Sequence, residues 1–203
     1  MPMKAERQYR SAVLPFSVAE QSKRFETDFY VEGFAARYEP YKLYEDEGGA
    51  IYEAFERSAF AETDFSDVIF QYNHTGRVFA RGSNKTLIVE PQDSGLFMAA
   101  DLGLTEASRQ MFEEIRTGLV TKMSWAFLPD VKSLVFDKST RTFVHQKILK
   151  VFDVSAVSFP ANADTEINAR GFCNGVIAKT LEEYRRRELK KRKLKLLLEV
   201  MKR

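Results

Sequence analysis

Cysteine and histidine are scarce in this sequence of 203 residues. Cys173 is the one cysteine, and His74 and His145 are the two histidines. A single cysteine excludes an internal disulfide, and these three residues do not have the spacing of a metal-ligand motif. A glycine-rich phosphate-binding loop is also missing. The sequence therefore predicts a protein without a metal ion or another cofactor.

Long apolar runs are missing as well. No stretch of about 18 apolar residues is present, and the first residues lack the pattern of a signal peptide. The prediction is a cytosolic protein that does not enter a membrane. Hydrophobic and aromatic residues are plentiful, at 44% and 13% of the chain. These fractions favour a folded globular domain over a disordered chain.

Positive charge is concentrated at the carboxyl end. Between Lys179 and Arg203 there are eleven basic residues and four glutamates, so this segment carries +7 and the rest of the chain −5. Gly171 and Gly175 precede the segment and favour a hinge. A helix that docks on a partner is the preferred interpretation, ahead of a segment that binds nucleic acid or a membrane surface. The predicted divisions are an N-terminal arm (1–24), a main folded domain (25–170) and a hinge with a basic helix (171–203).

Periodicity and turn residues predict that strands dominate the main domain. One helix is predicted over 51–63 and another from an N-cap at Thr105 to Arg116, with Gly118 just after its end. Thr75-Gly76 is predicted as the turn that follows a strand ending at His74. The predicted fold is α+β, a mostly antiparallel β-barrel with flanking helices. The predicted strands cover 25–38, 68–73, 119–127, 133–136 and 142–159. Two further strands, over 86–90 and 95–101, are predicted to form a hairpin.

Ser124 lies in a short segment, Leu119–Phe127, that has the two-residue period of a strand. By this period Ser124 shares a face with Val120 and Ala126. Taken alone, such a serine is best interpreted as a structural hydroxyl bonded to the backbone. Taken alone, His74 is best interpreted as a side chain that caps a turn.

Three segments in a fixed order change this interpretation. They are Asn73-His74, Met123-Ser-Trp-Ala-Phe127 and Asp153-Val-Ser-Ala-Val-Ser-Phe-Pro-Ala161. Their order and spacing resemble the prohead maturation proteases of tailed bacteriophages, a serine peptidase family related in fold to the herpesvirus assemblins. Thr75 and Ala126 depart from the family pattern, which usually has an acidic residue and a glycine at these places. Further matching segments are Gly33–Ala36, Tyr52–Phe55, Ser58–Phe60, Thr86-Leu87 and Gly95-Leu96.

The resemblance implies a serine endopeptidase in which Ser124 is the nucleophile and His74 is the general base. A serine hydroxyl is a poor nucleophile at neutral pH, so it needs a base that takes its proton and later gives it to the leaving amine. The oxyanion donors are expected to be backbone amides, which the sequence does not locate.

The third catalytic residue has two candidates. Asp153 occupies the place of the family's acidic residue, and His145 is the alternative because assemblins use a second histidine. On one unbroken strand the two would share a face but lie about 26 Å apart, so only one of them reaches His74. Asp153 is preferred, because a carboxylate between Phe152 and Val154 needs a buried partner. The segment around His145 is interpreted as more exposed.

The resemblance also implies substrates and a location. The expected partners are the major capsid protein precursor and scaffold segments, cleaved inside the immature phage prohead in the host cytoplasm. A homo-oligomer is expected because the related assemblins work as dimers. One alternative is a catalytically inactive assembly protein of the same fold that binds capsid or scaffold. Another is a nucleic-acid-binding module that acts through the basic tail, and its affinity would fall steeply with salt.

Overall fold

Strands are the commonest elements of the computed structural model, which describes residues 6–12, 23–158, 177–180, 182, 186 and 189–193. Helix α1 spans Glu106–Arg116, and short 3₁₀ helices span Arg57–Phe60 and Val131–Ser133. The strands are β1 (Gln8–Ala12), β2 (Tyr30–Arg37), β3 (Tyr41–Asp46), β4 (Gly49–Phe55), β5 (Ile69–Tyr72), β6 (Thr75–Arg81), β7 (Leu87–Gln92), β8 (Gly95–Asp101), β9 (Lys122–Pro129), β10 (Leu134–Asp137), β11 (Thr142–His145) and β12 (Ile148–Val157).

The strands form three sheets. The five-stranded sheet has the order β1-β9-β12-β5-β6, the four-stranded sheet β10-β11-β4-β3, and the three-stranded sheet β2-β8-β7. Most pairs are antiparallel, but β11 pairs with β4 and β12 with β5 in parallel. The predominance of strands with few helices agrees with the predicted α+β class. None of the three sheets closes on itself within the described residues, so the predicted barrel is not confirmed.

Helix α1 and one hairpin have the predicted local signals. The Thr105 side chain accepts a hydrogen bond from the Ser108 amide at the N-terminus of α1. Gly118 has φ +77°, the left-handed conformation expected just after a helix. Strands β7 and β8 pair antiparallel around Asp93-Ser94, which confirms the predicted hairpin.

The predicted helix over 51–63 is wrong. Residues up to Phe55 belong to β4, which lies between β3 and β11 and shares backbone hydrogen bonds with both. Ile51, Glu53 and Phe55 are buried and Tyr52 is exposed, but Ala54 is buried as well, so the alternation of this strand is incomplete. The incomplete alternation and a glutamate on the buried face hide the strand from a search for apolar periodicity.

The predicted strand over 142–159 is interrupted. Gln146 and Lys147 separate β11 from β12, and the two strands belong to different sheets. His145 ends β11 and Asp153 lies in β12, so the assumption that they share one strand is wrong. Residues beyond Ser158, as far as 176, lie outside the described part of the chain.

Alternation along β9 directs its large side chains into the main hydrophobic core. Met123, Trp125 and Phe127 are almost fully buried, and the Trp125 and Phe127 rings stack with centroids 4.2 Å apart. The Phe55 ring contacts Trp125 edge-on at 5.3 Å. Ser124 therefore faces the opposite side of the sheet.

The predicted hinge at Gly171 and Gly175 lies outside the described residues. The described positions of the basic tail have helical backbone, and Ile177 packs against the cluster that contains Leu134 and Phe143. A continuous basic helix to the end of the chain stays a prediction. Within the described ranges, no helix has both the length and the apolar character needed to cross a membrane.

Candidate active site

Ser124 lies near the middle of the five-stranded sheet. Its strand, β9, pairs with β1 on one side and β12 on the other, and Ser124 is in register with Ser11 and Ser155. The side chain is buried. Paired strands on both sides hold the serine in the sheet, and its core-facing neighbours fix which way it points.

His74 lies in the tight turn between β5 and β6. Tyr72 pairs with Thr75, so Asn73 and His74 are the two turn residues, and the predicted turn at Thr75-Gly76 is displaced by two positions. Both have left-handed backbone, with φ 50° and 58°. Two consecutive positive φ values are the pattern of a type I′ turn, which matches the twist of the flanking strands.

The turn is tied to the end of β12. The Asn73 amide donates to the Ala156 carbonyl at 2.9 Å, and the Ser158 amide donates to Asn73 Oδ1 at 3.1 Å. A histidine in the left-handed region is uncommon, and such residues persist where the surrounding structure holds them. These two bonds hold the imidazole over the face of the sheet that carries Ser124.

The structure brings His74, Ser124 and Asp153 into one hydrogen-bonded chain. His74 Nε2 lies 2.6 Å from Ser124 Oγ, and His74 Nδ1 lies 2.5 Å from Asp153 Oδ1. With Asp153 ionised, Nδ1 carries the proton and donates it to the carboxylate. Nε2 is then an acceptor for the serine hydroxyl, which is the arrangement that activates a serine nucleophile.

Asp153 has no exposed side-chain surface. Burial raises the pKa of this carboxyl, but hydrogen bonds from His74 and Ser155 and the charge of Arg7 outweigh it, and the net pKa is lowered. Ser155 Oγ donates to Oδ1 at 2.8 Å, and Arg7 forms an ion pair with Oδ2. Asp153 therefore stays ionised beside His74 at neutral pH.

Strand β1 and the residue before it also contact this site. The Arg10 carbonyl lies 3.0 Å from Ser124 Oγ and accepts its hydrogen when the hydroxyl is not donating to His74. The Tyr9 ring packs edge-on against the His74 imidazole, with centroids 4.8 Å apart. Sequence reasoning missed Arg7, Tyr9 and Arg10, because this polar segment has no apolar period and only its pairing with β9 reveals its place.

His145 lies on the other side of β9. Its ring stacks on Phe55 at 4.9 Å and contacts Phe127 edge-on at 5.6 Å, and both partners belong to the core. The residue is 1% exposed, so the prediction of a more exposed segment is wrong. His145 Nε2 bonds to Glu53 Oε1 at 2.9 Å. Of the two candidates for the third position, the structure places Asp153 against His74.

Glu53 is the centre of a second buried polar cluster, on the core side of β9. Arg10 donates to both of its carboxylate oxygens, at 2.6 and 2.8 Å, and Tyr41 and His145 bond to it as well. Burial raises the pKa of Glu53, but the charge of Arg10 and the bonds from His145 and Arg10 lower it below its usual range. The cluster fastens β1 of the five-stranded sheet to β4 of the four-stranded sheet.

Replacement of Glu53 by alanine is expected to lower the free energy of unfolding by about 3–5 kcal/mol, because it leaves the Arg10 guanidinium buried without its partner. The pKa of Glu53 is lowered by folding. Its contribution to the free energy of unfolding is therefore present above the unfolded pKa of about 4.3 and is lost as pH falls through the folded value. Urea unfolding of the parent and of Glu53→Ala, at pH 7 and at pH 3, would measure the loss of stability and its dependence on pH.

Glu45→Ala is the matched control, since Glu45 is paired with Lys42 on the exposed surface of β3. We expect little change in the unfolding midpoint for this variant. An equal loss of stability in the two variants would contradict the assignment of a buried anchoring pair.

No group of three or more Asp, Glu, His or Cys side chains suited to a metal ion occurs among the residues that the structure describes. The family model for caudovirus prohead serine proteases matches residues 17–186. This range contains His74, Ser124 and Asp153 and excludes Arg7 and β1. Searches of curated proteins and of solved structures gave no match.

Proposed function

Since the chain belongs to the caudovirus prohead serine protease family, we propose that it is a serine endopeptidase that cleaves scaffold and capsid-precursor segments within the immature phage shell. The family supports a protease role in phage maturation. The assignment of the nucleophile and the base, and the identity of the substrates, go beyond the family and are proposed here. The observation that carries it is the hydrogen-bonded chain from Ser124 through His74 to Asp153.

In the proposed mechanism, Ser124 Oγ attacks the scissile carbonyl carbon while His74 Nε2 takes the hydroxyl proton. The imidazolium that forms is stabilised by the ionised Asp153, which accepts the Nδ1 hydrogen. His74 then donates the Nε2 proton to the leaving amine, and the acyl enzyme remains on Ser124. Water activated by the same imidazole hydrolyses this ester and restores the serine.

The buried, ionised state of Asp153 supports this assignment. A carboxylate that stays charged at neutral pH fixes the His74 tautomer with hydrogen on Nδ1 and keeps Nε2 free to accept. The three contacts to Asp153 from His74, Ser155 and Arg7 offset the cost of its burial.

The proposed partners follow from the family. They are the major capsid protein precursor and scaffold segments, encountered within the procapsid in the host cell. A homo-oligomer, a dimer as in the assemblins, is part of the proposal. Residues 25–170 are proposed as the protease domain, and β1, from the segment before it, completes the five-stranded sheet of that domain.

Labelling by a fluorophosphonate probe tests the proposal directly. Attack by Ser124 Oγ on phosphorus forms an Oγ–P bond, breaks the P–F bond, and passes the serine proton to His74. We expect one label on the parent protein by intact mass and none on Ser124→Ala. Ser139→Ala, in an exposed turn, is the matched control and should label at the parent rate. A parent protein that takes no label and leaves a capsid precursor intact would favour the inactive assembly protein instead.

The basic tail is proposed to tether the enzyme to its acidic partners in the shell. A chain that ends at Ala178 keeps Ile177, which packs against the Leu134 cluster, so the protease domain should remain intact. We expect unchanged fluorophosphonate labelling but loss of incorporation into proheads, measured by co-sedimentation. A full-length variant with residues 190–193 changed to glutamine separates loss of charge from loss of the segment.

Loss of labelling in the shortened chain would show that the tail completes the active domain and would contradict this prediction. Tight binding of the full chain to DNA, falling steeply between low and high salt, would support the nucleic-acid alternative instead.

A further inference from the structure

The N-terminal strand, defined here as Arg7 together with β1, contacts every member of the triad. Arg7 pairs with Asp153, the Tyr9 ring packs against His74, and the Arg10 carbonyl faces the Ser124 hydroxyl. This strand lies before residue 17, where the match to the family begins.

Side chains along the N-terminal strand alternate between the two faces of the sheet, so the strand contacts both Glu53 and the triad. Gln8 and Arg10 are buried, and Arg10 is held by two hydrogen bonds to Glu53 on the core side of the sheet. Arg7 and Tyr9 point to the opposite side, toward the triad. The Arg10–Glu53 pair therefore anchors the strand whose other face carries Arg7.

Arg7 contacts the carboxylate oxygen of Asp153 that His74 and Ser155 do not contact. Asp153 Oδ1 accepts from His74 and Ser155, whereas Oδ2 pairs with Arg7. The guanidinium also lies over the Phe152 ring at 4.6 Å and near the Tyr9 ring at 5.2 Å. With both oxygens held, the carboxylate cannot rotate away from His74.

We propose that Arg7 is a positioning residue for the proposed protease: it fixes the Asp153 carboxylate and, through it, the orientation and tautomer of His74. The proposal rests on the proposed function. Arg7 acts through Asp153 and needs no contact with the peptide. Its removal should lower the rate of the chemical step and leave substrate binding unchanged.

The contact from Arg7 also bears on the tautomer of His74. While the Asp153 carboxylate is held beside Nδ1, the imidazole hydrogen stays on Nδ1 and Nε2 can accept from Ser124. A carboxylate released by Arg7 can turn away from Nδ1, and the hydrogen can then move to Nε2. The Arg10 guanidinium lies on the far side of the sheet, paired with Glu53, and does not replace this contact.

The test compares the full chain with Arg7→Met and Arg7→Lys. Saturation kinetics with a fluorophosphonate probe should show the maximal labelling rate falling about tenfold to a hundredfold in Arg7→Met, as expected for a misplaced catalytic group. The probe concentration at half-saturation should stay the same. Arg7→Lys should recover part of the rate, because it keeps the charge but not the planar fork.

Arg24→Met is the matched control, because Arg24 is also partly exposed but pairs with Glu90 on the surface. It should leave the labelling rate unchanged. The imidazole nitrogen NMR signals give a readout independent of activity, because they distinguish hydrogen on Nδ1 from hydrogen on Nε2. With two histidines in the chain the His74 signals can be assigned, and neutral His74 should carry hydrogen on Nδ1 in the parent but exchange between the two tautomers in Arg7→Met.

The proposal is overturned if Arg7→Met shows the parent labelling rate, or if His74 keeps the parent tautomer in a folded Arg7→Met variant. It is also overturned if Arg7→Lys is as slow as Arg7→Met. A change of the His74 tautomer in Arg7→Met, together with a parent protein that takes no label, would instead overturn the proposed function and leave the role of Arg7 established.

Discussion

Replacement of Ser124 by alanine is expected to lower kcat by about 10⁶-fold, the loss seen when the nucleophile of a serine protease triad is removed. Without Oγ there is no atom to form the acyl enzyme, and His74 has no proton to take. The alanine side chain fits the site, since only a hydroxyl is removed from a buried position. Hydrolysis of a capsid precursor, followed by mass spectrometry over time, would measure the loss.

His74→Asn should have a comparable effect, because the residues of a triad act as a unit. Asparagine is preferred to alanine here, since His74 has φ 58° and asparagine tolerates the left-handed region. The double variant Ser124→Ala/His74→Asn should be no slower than either single variant. Cleavage within tenfold of the parent rate in either single variant would show that the assignment of that residue is wrong.

Asp153→Asn is expected to lower kcat by up to about 10⁴-fold while the protein remains folded. The asparagine amide donates to His74 Nδ1, which forces the imidazole hydrogen onto Nε2. In that tautomer Nε2 cannot accept the serine proton. The remaining contacts to Ser155 and Arg7 can still be made by the amide group, so circular dichroism should show an unchanged fold.

His145→Gln distinguishes the two candidates for the third position. A glutamine amide can keep the hydrogen bond to Glu53, and the ring it replaces lies on the core side of β9. We expect lower stability but a kcat close to that of the parent for the folded protein. If His145→Gln remained folded and lost more activity than Asp153→Asn, a Ser-His-His triad would replace the proposed Ser-His-Asp arrangement.

Local signals in the sequence determined part of this fold. The N-cap Thr105, the glycine at 118 and the β7–β8 hairpin were predicted because each depends on residues close together in the chain. The candidates His74, Ser124 and Asp153 came from the order of three motifs. The structure places them in hydrogen-bond contact, and their catalytic roles stay predictions until the variants are measured.

Other features depended on contacts between distant segments, which only the tertiary structure decided. Glu53 falls within the predicted helix over 51–63, and its place in a buried strand follows only from its contacts with Arg10 and His145. The break at Gln146–Lys147 is set by the two different sheets that β11 and β12 join. Composition and spacing describe neighbours along the chain, whereas burial of a charge and pairing of strands depend on neighbours in space. For that reason the sequence supplied the three candidate catalytic residues, and the fold decided that the polar N-terminal strand lies against all three of them.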